Sequence, residues 1–179
     1  MVISTLLALP QKVRIKWLVK NGLRLGINCY IAPSVLIDPT FPWLISIGDN
    51  CYLTFNVTIL AHDASTKNYI GYTKIGAVTI GNNCFVGAGS IILPNVHVGD
   101  NVVIGAGSVV AQDISSNSVV AGNPAKVIKM TQELVNLHSL RLRSSPHYSK
   151  EGWTLGNGIT QERKREMWES VKKEIGYIE

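Results

Sequence analysis

At 179 residues, 46% of them hydrophobic and 16% charged, the chain is long enough for one domain with a sizeable core and too apolar for disorder. Sixteen glycines against three phenylalanines predict an aliphatic core on a backbone that turns often. The net charge of +5 is spread over three separate clusters with no interleaving of basic and aromatic residues, which argues against a nucleic-acid partner.

The first ten residues, MVISTLLALP, are apolar but too short to span a bilayer, and they lack the basic n-region of a signal peptide. Residues 5–22 read as a helix that breaks near Pro10, with Val13, Trp17 and Leu18 on an apolar side and a basic opposite side. Such a helix would cap the open end of a repeat fold. The alternative is a helix that lies on a membrane surface.

From residue 25 the chain carries a period of six. Aliphatic residues recur at Leu25, Ile31 and Ile37, then after a short slip at Ile47, Leu53 and Ile59. They return at Ile80, Val86, Ile92, Val98, Ile104 and Val110. Glycine or alanine follows most of them, and a small residue lies four places on: Cys29, Val35, Cys51, Val57, Cys84, Ser90, Val96, Val102 or Ser108. One long and one small inward side chain per six residues describe a short strand and a turn. Three such strands close a triangular coil of eighteen residues, and stacked coils bury a continuous interior. The period is neither the 3.6 of a helix nor the alternation of a hairpin array. The fold class expected is therefore an all-β solenoid. The three cysteines occupy small inward positions, where a thiol fills space; their spacing fits no zinc motif. Unpaired thiols suit a cytoplasmic protein.

Between Ile59 and Ile80 lie twenty-one residues where six would serve, so a loop over 62–77 leaves the coil. Loops on a rigid scaffold tend to carry function, and this one opens with His62. Of the other histidines, His97 is outward on an uninterrupted coil, while His138 and His147 fall in the tail. After Pro124 the period stops. Helices are predicted over 131–143 and 161–175, the second with Thr160 as N-cap, and His147, Trp153, Trp168 and Tyr177 are expected to pack against a coil, with a part in binding an acceptor as the alternative. The organisation expected is a helical cap (1–24), a repeat domain (25–130) and a helical extension (131–179).

Residues 78–129, beginning VTIGNNCFVGAGS and ending in GNPAKVIK, closely resemble the C-terminal signature of the hexapeptide-repeat acyltransferases. The order of elements is similar to that of the maltose and galactoside O-acetyltransferases and of exopolysaccharide acetyltransferases. The resemblance implies a left-handed parallel β-helix, assembled as a homotrimer, that transfers an acetyl group from acetyl-CoA to a carbohydrate acceptor without a metal. The segment FNVTILAHDAS resembles that around the family's catalytic histidine and implies His62 as general base; Asn56 is a candidate for binding the acceptor, and Asp63 for binding it or for orienting the imidazole, with a partner from elsewhere in the chain as the alternative for that last role. The implied coenzyme contacts are Ala88, Ala106, Ala111, Gln112, Lys126 and Lys129, the lysines offsetting phosphate charge. Ala88 stands where some relatives carry serine, Ala111-Gln112 where Thr-Lys is common, and Phe85 where tryptophan is common. The leading expectation is O-acetylation of a sugar or polysaccharide precursor. N-acetylation of an amino sugar, free or carried on a nucleotide, and a non-catalytic scaffold are the alternatives. A γ-type carbonic anhydrase would need a second close histidine in the coils, and a serine acetyltransferase its DRHP-like segment; the chain has neither.

Overall fold

In the computed structural model, which describes residues 9–179, all twelve aliphatic hexad positions lie in strands, and they stack in register. Leu25 pairs with Ile47, Ile47 with Ile80 and Ile80 with Val98 in one parallel sheet. Ile31, Leu53, Val86, Ile104 and then Val120 align in a second. Ile37, Ile59, Ile92 and Val110 align in a third. All but Leu25 are buried, so each step of six residues adds one rung to a common interior.

The chain visits the sheets in strict rotation. Sheet 1 holds β1 (Arg24–Leu25), β4 (Ile45–Ile47), β9 (Val78–Ile80) and β12 (His97–Val98). Sheet 2 holds β2 (Tyr30–Ile31), β5 (Tyr52–Leu53), β10 (Phe85–Val86) and β13 (Val103–Ile104), and sheet 3 holds β3 (Leu36–Ile37), β6 (Thr58–Ile59), β11 (Ile91–Ile92) and β14 (Val109–Val110). A fifth coil is begun by the Val98–Ile114 bridge and β15 (Ser118–Gly122); β16 (Ala125–Met130) then folds back antiparallel and ends sheet 2. That returning strand lies past the point where the period stops and carries no alternation to betray it.

Strands of two residues require a sharp turn at every edge. On the edge from sheet 1 to sheet 2 the turn is taken by Asn28, Asn50, Asn83, Asn101 and Asn117, all at φ between 55° and 63°. Asparagine tolerates this left-handed region better than other side chains. Here it gains a second role: Asn28, Asn50, Asn83 and Asn101 each donate an amide hydrogen to the next asparagine of the ladder, at 3.0–3.3 Å. Beside that ladder the thiols of Cys29, Cys51 and Cys84 each donate to a glycine carbonyl of the next coil at 3.1 Å. The cysteines are free, and burial pushes the Cys29 thiol up in pKa.

Helix α1 (Gln11–Lys20) starts directly after Pro10. Residues 5–8 of the expected helix lie outside the described residues. Leu18 enters the core, and the buried Arg14 guanidinium donates to the carbonyls of Pro33 at 2.6 Å and Val35 at 3.1 Å, satisfying turn carbonyls at the open end of the first coil.

Chain contacts divide at Thr131, and Gln132–Glu179 form a second compact unit. Helix α3 (Thr131–Leu142) and helix α4 (Gln161–Val171) match the expected helices, and Thr160 caps α4 by accepting from the Arg163 N–H. The stretch between them also holds β17 (His147–Tyr148), which pairs with β18 (Tyr177–Ile178). Trp153 stacks on Tyr148 and Tyr177 bonds His138, whereas Trp168 stands exposed. Among the described residues no helix is long and apolar enough to cross a membrane.

Candidate active site

Both irregularities in the repeat fall on the edge from sheet 3 to sheet 1, and they meet. The slip after Ile37 leaves Asp38–Leu44 on this edge; one coil later the long break begins at Leu60. His62 opens the break as the first residue of β7 (His62–Asp63), which pairs antiparallel with β8 (Lys74–Ile75). The segment expected to be a loop is thus a short hairpin with its own helical turn, α2 (Lys67–Ile70).

The His62 Nδ1 hydrogen bonds the Asp38 carboxylate. The Asp38 side chain is 0% exposed, against 33% for His62. A buried carboxylate needs donors, and Asp38 has them: Oδ2 accepts from the Ala61 N–H at 3.0 Å and Oδ1 from the Thr40 N–H at 2.9 Å. A carboxylate accepts, so Nδ1 carries the hydrogen and the Nε2 lone pair is left for other chemistry. Among the described residues nothing hydrogen-bonds Nε2. Phe41, from the slip, packs edge-on against the imidazole at 5.4 Å and holds the ring from a second side.

Asp63 does not touch the imidazole. Its carboxylate pairs with Lys74 at 2.6 Å across the hairpin and accepts from the Ser65 N–H at 2.8 Å. The Lys74 ammonium, aided by that N–H, lowers the carboxyl pKa to about 2. The aspartate that holds His62 is therefore the one 24 residues earlier, not its neighbour. Asp38 occupies the hexad place that most often holds glycine or alanine, directly before the slip. No local pattern in the sequence marks Asp38 as the partner of His62.

Asn56 lies on another edge, from sheet 2 to sheet 3. It is exposed, takes φ 59° and receives the Ser34 hydroxyl oxygen on its own N–H at 2.9 Å. Gly89 and Gly107 take the equivalent left-handed turns above it, so the turn itself accounts for an asparagine at that position. Ala88 and Ala106 stack on this same edge, exposed, with the Gly107 N–H donating to the Ala88 carbonyl at 2.8 Å. Ala111 and Gln112 are exposed on the His62 edge, two coils further on. Lys126 and Lys129 belong to β16, paired with Ala121 and Val119. In one copy the expected contacts are thus divided between two edges and the last strand, with sheet 3 between the two edges. His97 is outward on sheet 1 and hydrogen-bonds the Thr79 hydroxyl. A cavity of about 580 Å³ in the second unit, bordered by His147, Tyr148 and Tyr177, contains none of the expected site residues.

Comparison with known proteins bears on the repeat and on the class of reaction. Residues 77–112 match the family described as bacterial transferase hexapeptide, six repeats. A protein of Bacillus subtilis (strain 168), YvoF, named as a candidate acetyltransferase, is 38% identical over 66% of this chain and 67% of its own length. The Staphylococcus aureus protein CapG is 36% identical over 74% of this chain and 77% of its own. Among solved structures, a galactoside acetyltransferase in complex with coenzyme A superposes with a TM-score of 0.58 at 29% identity, covering 74% of this chain and 80% of that one. On the repeat, its register and these relatives, the chain belongs to the hexapeptide-repeat acyltransferases, among their acetyltransferases.

Proposed function

We propose that the protein transfers an acetyl group from acetyl-CoA to a hydroxyl of a sugar or polysaccharide precursor, with His62 as general base and Asp38 as the residue that positions it. The observation that carries this reading is the pairing of half-buried His62 with the fully buried Asp38 at the place where the repeat is twice interrupted. In the reaction, Nε2 of His62 takes the acceptor hydroxyl proton as the oxygen attacks the thioester carbonyl. The C–S bond then breaks, and the departing thiolate recovers that proton from the imidazolium. Asp38 fixes the tautomer and stabilises the imidazolium while it lasts.

The coenzyme side is supported by what the expected positions offer. Ala88 and Ala106 leave a low, methyl-lined step on which an extended molecule can lie against turn backbone, and any oxyanion contact there comes from an N–H rather than a hydroxyl. Lys126 and Lys129 supply cations for phosphates. The solved galactoside acetyltransferase holds coenzyme A, which favours the same co-substrate here. The division of these positions between edges favours a homotrimer in which a groove between neighbouring copies collects them. The left-handed winding of the family belongs to the same reading, as do the domain limits 25–130 for the repeat and 131–179 for the extension.

Acetyl-CoA supplied with panels of hydroxyl and amino sugars, with thiol release measured, tests the reaction. Release stimulated by neutral sugars is expected. Stimulation confined to amino sugars would shift the reading to N-acetylation, and no stimulation by any saccharide would remove the acceptor class.

A further inference from the structure

The outer face of α1 is built differently from its inner one. At about 100° per residue, Lys12, Lys16 and Lys20 form one ridge spanning roughly 80°, flanked by Val19 and Val13. All five side chains are exposed, whereas Arg14 and Leu18 on the opposite side are buried. The helix contains no acidic residue, and among the described residues none of the three lysines is in an ion pair. Gly22, two places beyond the helix, lies so close to Trp43 that a Cβ there would fall 2.7 Å from the Trp43 Cβ. Trp43 is 52% exposed, and Arg24 reaches its carbonyl at 3.4 Å. Between the helix and the first coil runs a cleft of about 390 Å³, apolar along Ile15, Leu25, Tyr30 and Ile31 and bordered by Lys12 and Lys16.

A row of unpaired cations, an exposed tryptophan and an apolar cleft with a cationic rim are three features that one kind of surface satisfies together. We propose that this end of the molecule docks on an anionic phospholipid surface, the three lysines meeting phosphates, Trp43 lying at the interface and the cleft receiving apolar chain. A second copy is a poor occupant, because the same face across a two-fold axis would oppose lysine to lysine. Phe41 lies edge-on to Trp43 at 5.6 Å and to His62 at 5.4 Å, so two rings separate the docked face from the candidate base. If acetyl transfer at His62 holds, the acceptor is then one carried at a lipid surface. The docking itself does not depend on that reading.

Cosedimentation of the full chain with phosphatidylcholine vesicles, with and without phosphatidylglycerol, tests it without any reference to catalysis. Binding only to the phosphatidylglycerol vesicles, weakened by salt, is expected. Replacing Lys12, Lys16 and Lys20 together by Gln should reduce partitioning about 100-fold, with circular dichroism unchanged. The same change at Lys172 and Lys173 should have little effect. Brominated lipid should quench tryptophan fluorescence in the wild type and much less in Trp43→Phe. No binding to anionic vesicles, binding that survives the triple substitution, or binding lost only on removal of residues 1–8 would overturn the proposal. So would equal, lysine-dependent retention on duplex DNA without quenching by brominated lipid.

Discussion

At the scale of single residues, the account turns on a carboxylate that the repeat had no reason to hold. Asp38 accepts two backbone N–H groups and the imidazole, in a place where any unpaired charge would be expensive. Asp38→Asn keeps the volume but turns one of two acceptor oxygens into an amide donor, so either Nδ1 faces that donor and takes the wrong tautomer or a backbone N–H loses its acceptor. Acetyl transfer should fall about 10²–10⁴-fold while coenzyme binding, read by calorimetry, stays close to wild type. Asp38→Ala strands the buried Ala61 N–H and the half-buried Thr40 N–H as well and should lower stability by about 3–5 kcal/mol in urea unfolding. Asp63 is a separate matter. Its carboxyl is depressed to about 2 by Lys74 and the Ser65 N–H, so its contribution to the hairpin is complete above the ordinary value of 3.8 and is lost as pH falls towards 2. Pepsin cleavage within 62–75, normalised to an unstructured peptide substrate at each pH, should rise as pH falls across that window, and the rise should be absent in Asp63→Asn.

At the scale of elements, turns impose stricter demands than strands. Most strands of the coil are two residues, one outward and one aliphatic inward, and many substitutions would fit the outward place. The edges are tighter: a Cβ at Gly87 would lie 2.4 Å from the backbone nitrogen of Ala106 in the next coil. Gly87→Ala must therefore shift a whole turn, and a loss of about 1–3 kcal/mol in unfolding free energy is expected. Asn83→Ala, at φ 56° and in the middle of the amide ladder, should cost about 1–2 kcal/mol. Asn83→Gly should recover the backbone part of that cost.

These elements also show why some features were legible in the sequence and others were not. The hexad was readable because one local rule, six residues per rung, is repeated by the tertiary fold without exception from Ile80 to Val110. His62 was readable from the break in that rule. The Asp38 partnership was not, since it joins two coils across 24 residues and no local pattern marks it. Nor was the hairpin 62–75, whose two-residue strands are mostly polar and whose one ion pair joins residues eleven apart. The asparagine ladder was visible as residues but not as a ladder, because stacking is a property of the coil and not of the hexad. Strand β16 reverses direction, and a period cannot announce its own reversal.

At the scale of the whole molecule, one copy divides its expected contacts between two edges and a terminal strand, and this division favours assembly. Multi-angle light scattering should find a trimer, and dilution to monomer should remove acetyl transfer before it removes the circular dichroism of the coil. A monomer fully active at low concentration would contradict that part of the reading. The central claim is narrower: that the imidazole at the double interruption of the repeat is the base. The most direct measurement is coenzyme-A thiol release by His62→Ala beside the wild type, with the acceptor that best stimulates the latter. A loss of about 10²–10⁴-fold in kcat, with folding and coenzyme binding intact, is the result predicted. Full activity in His62→Ala would contradict the account.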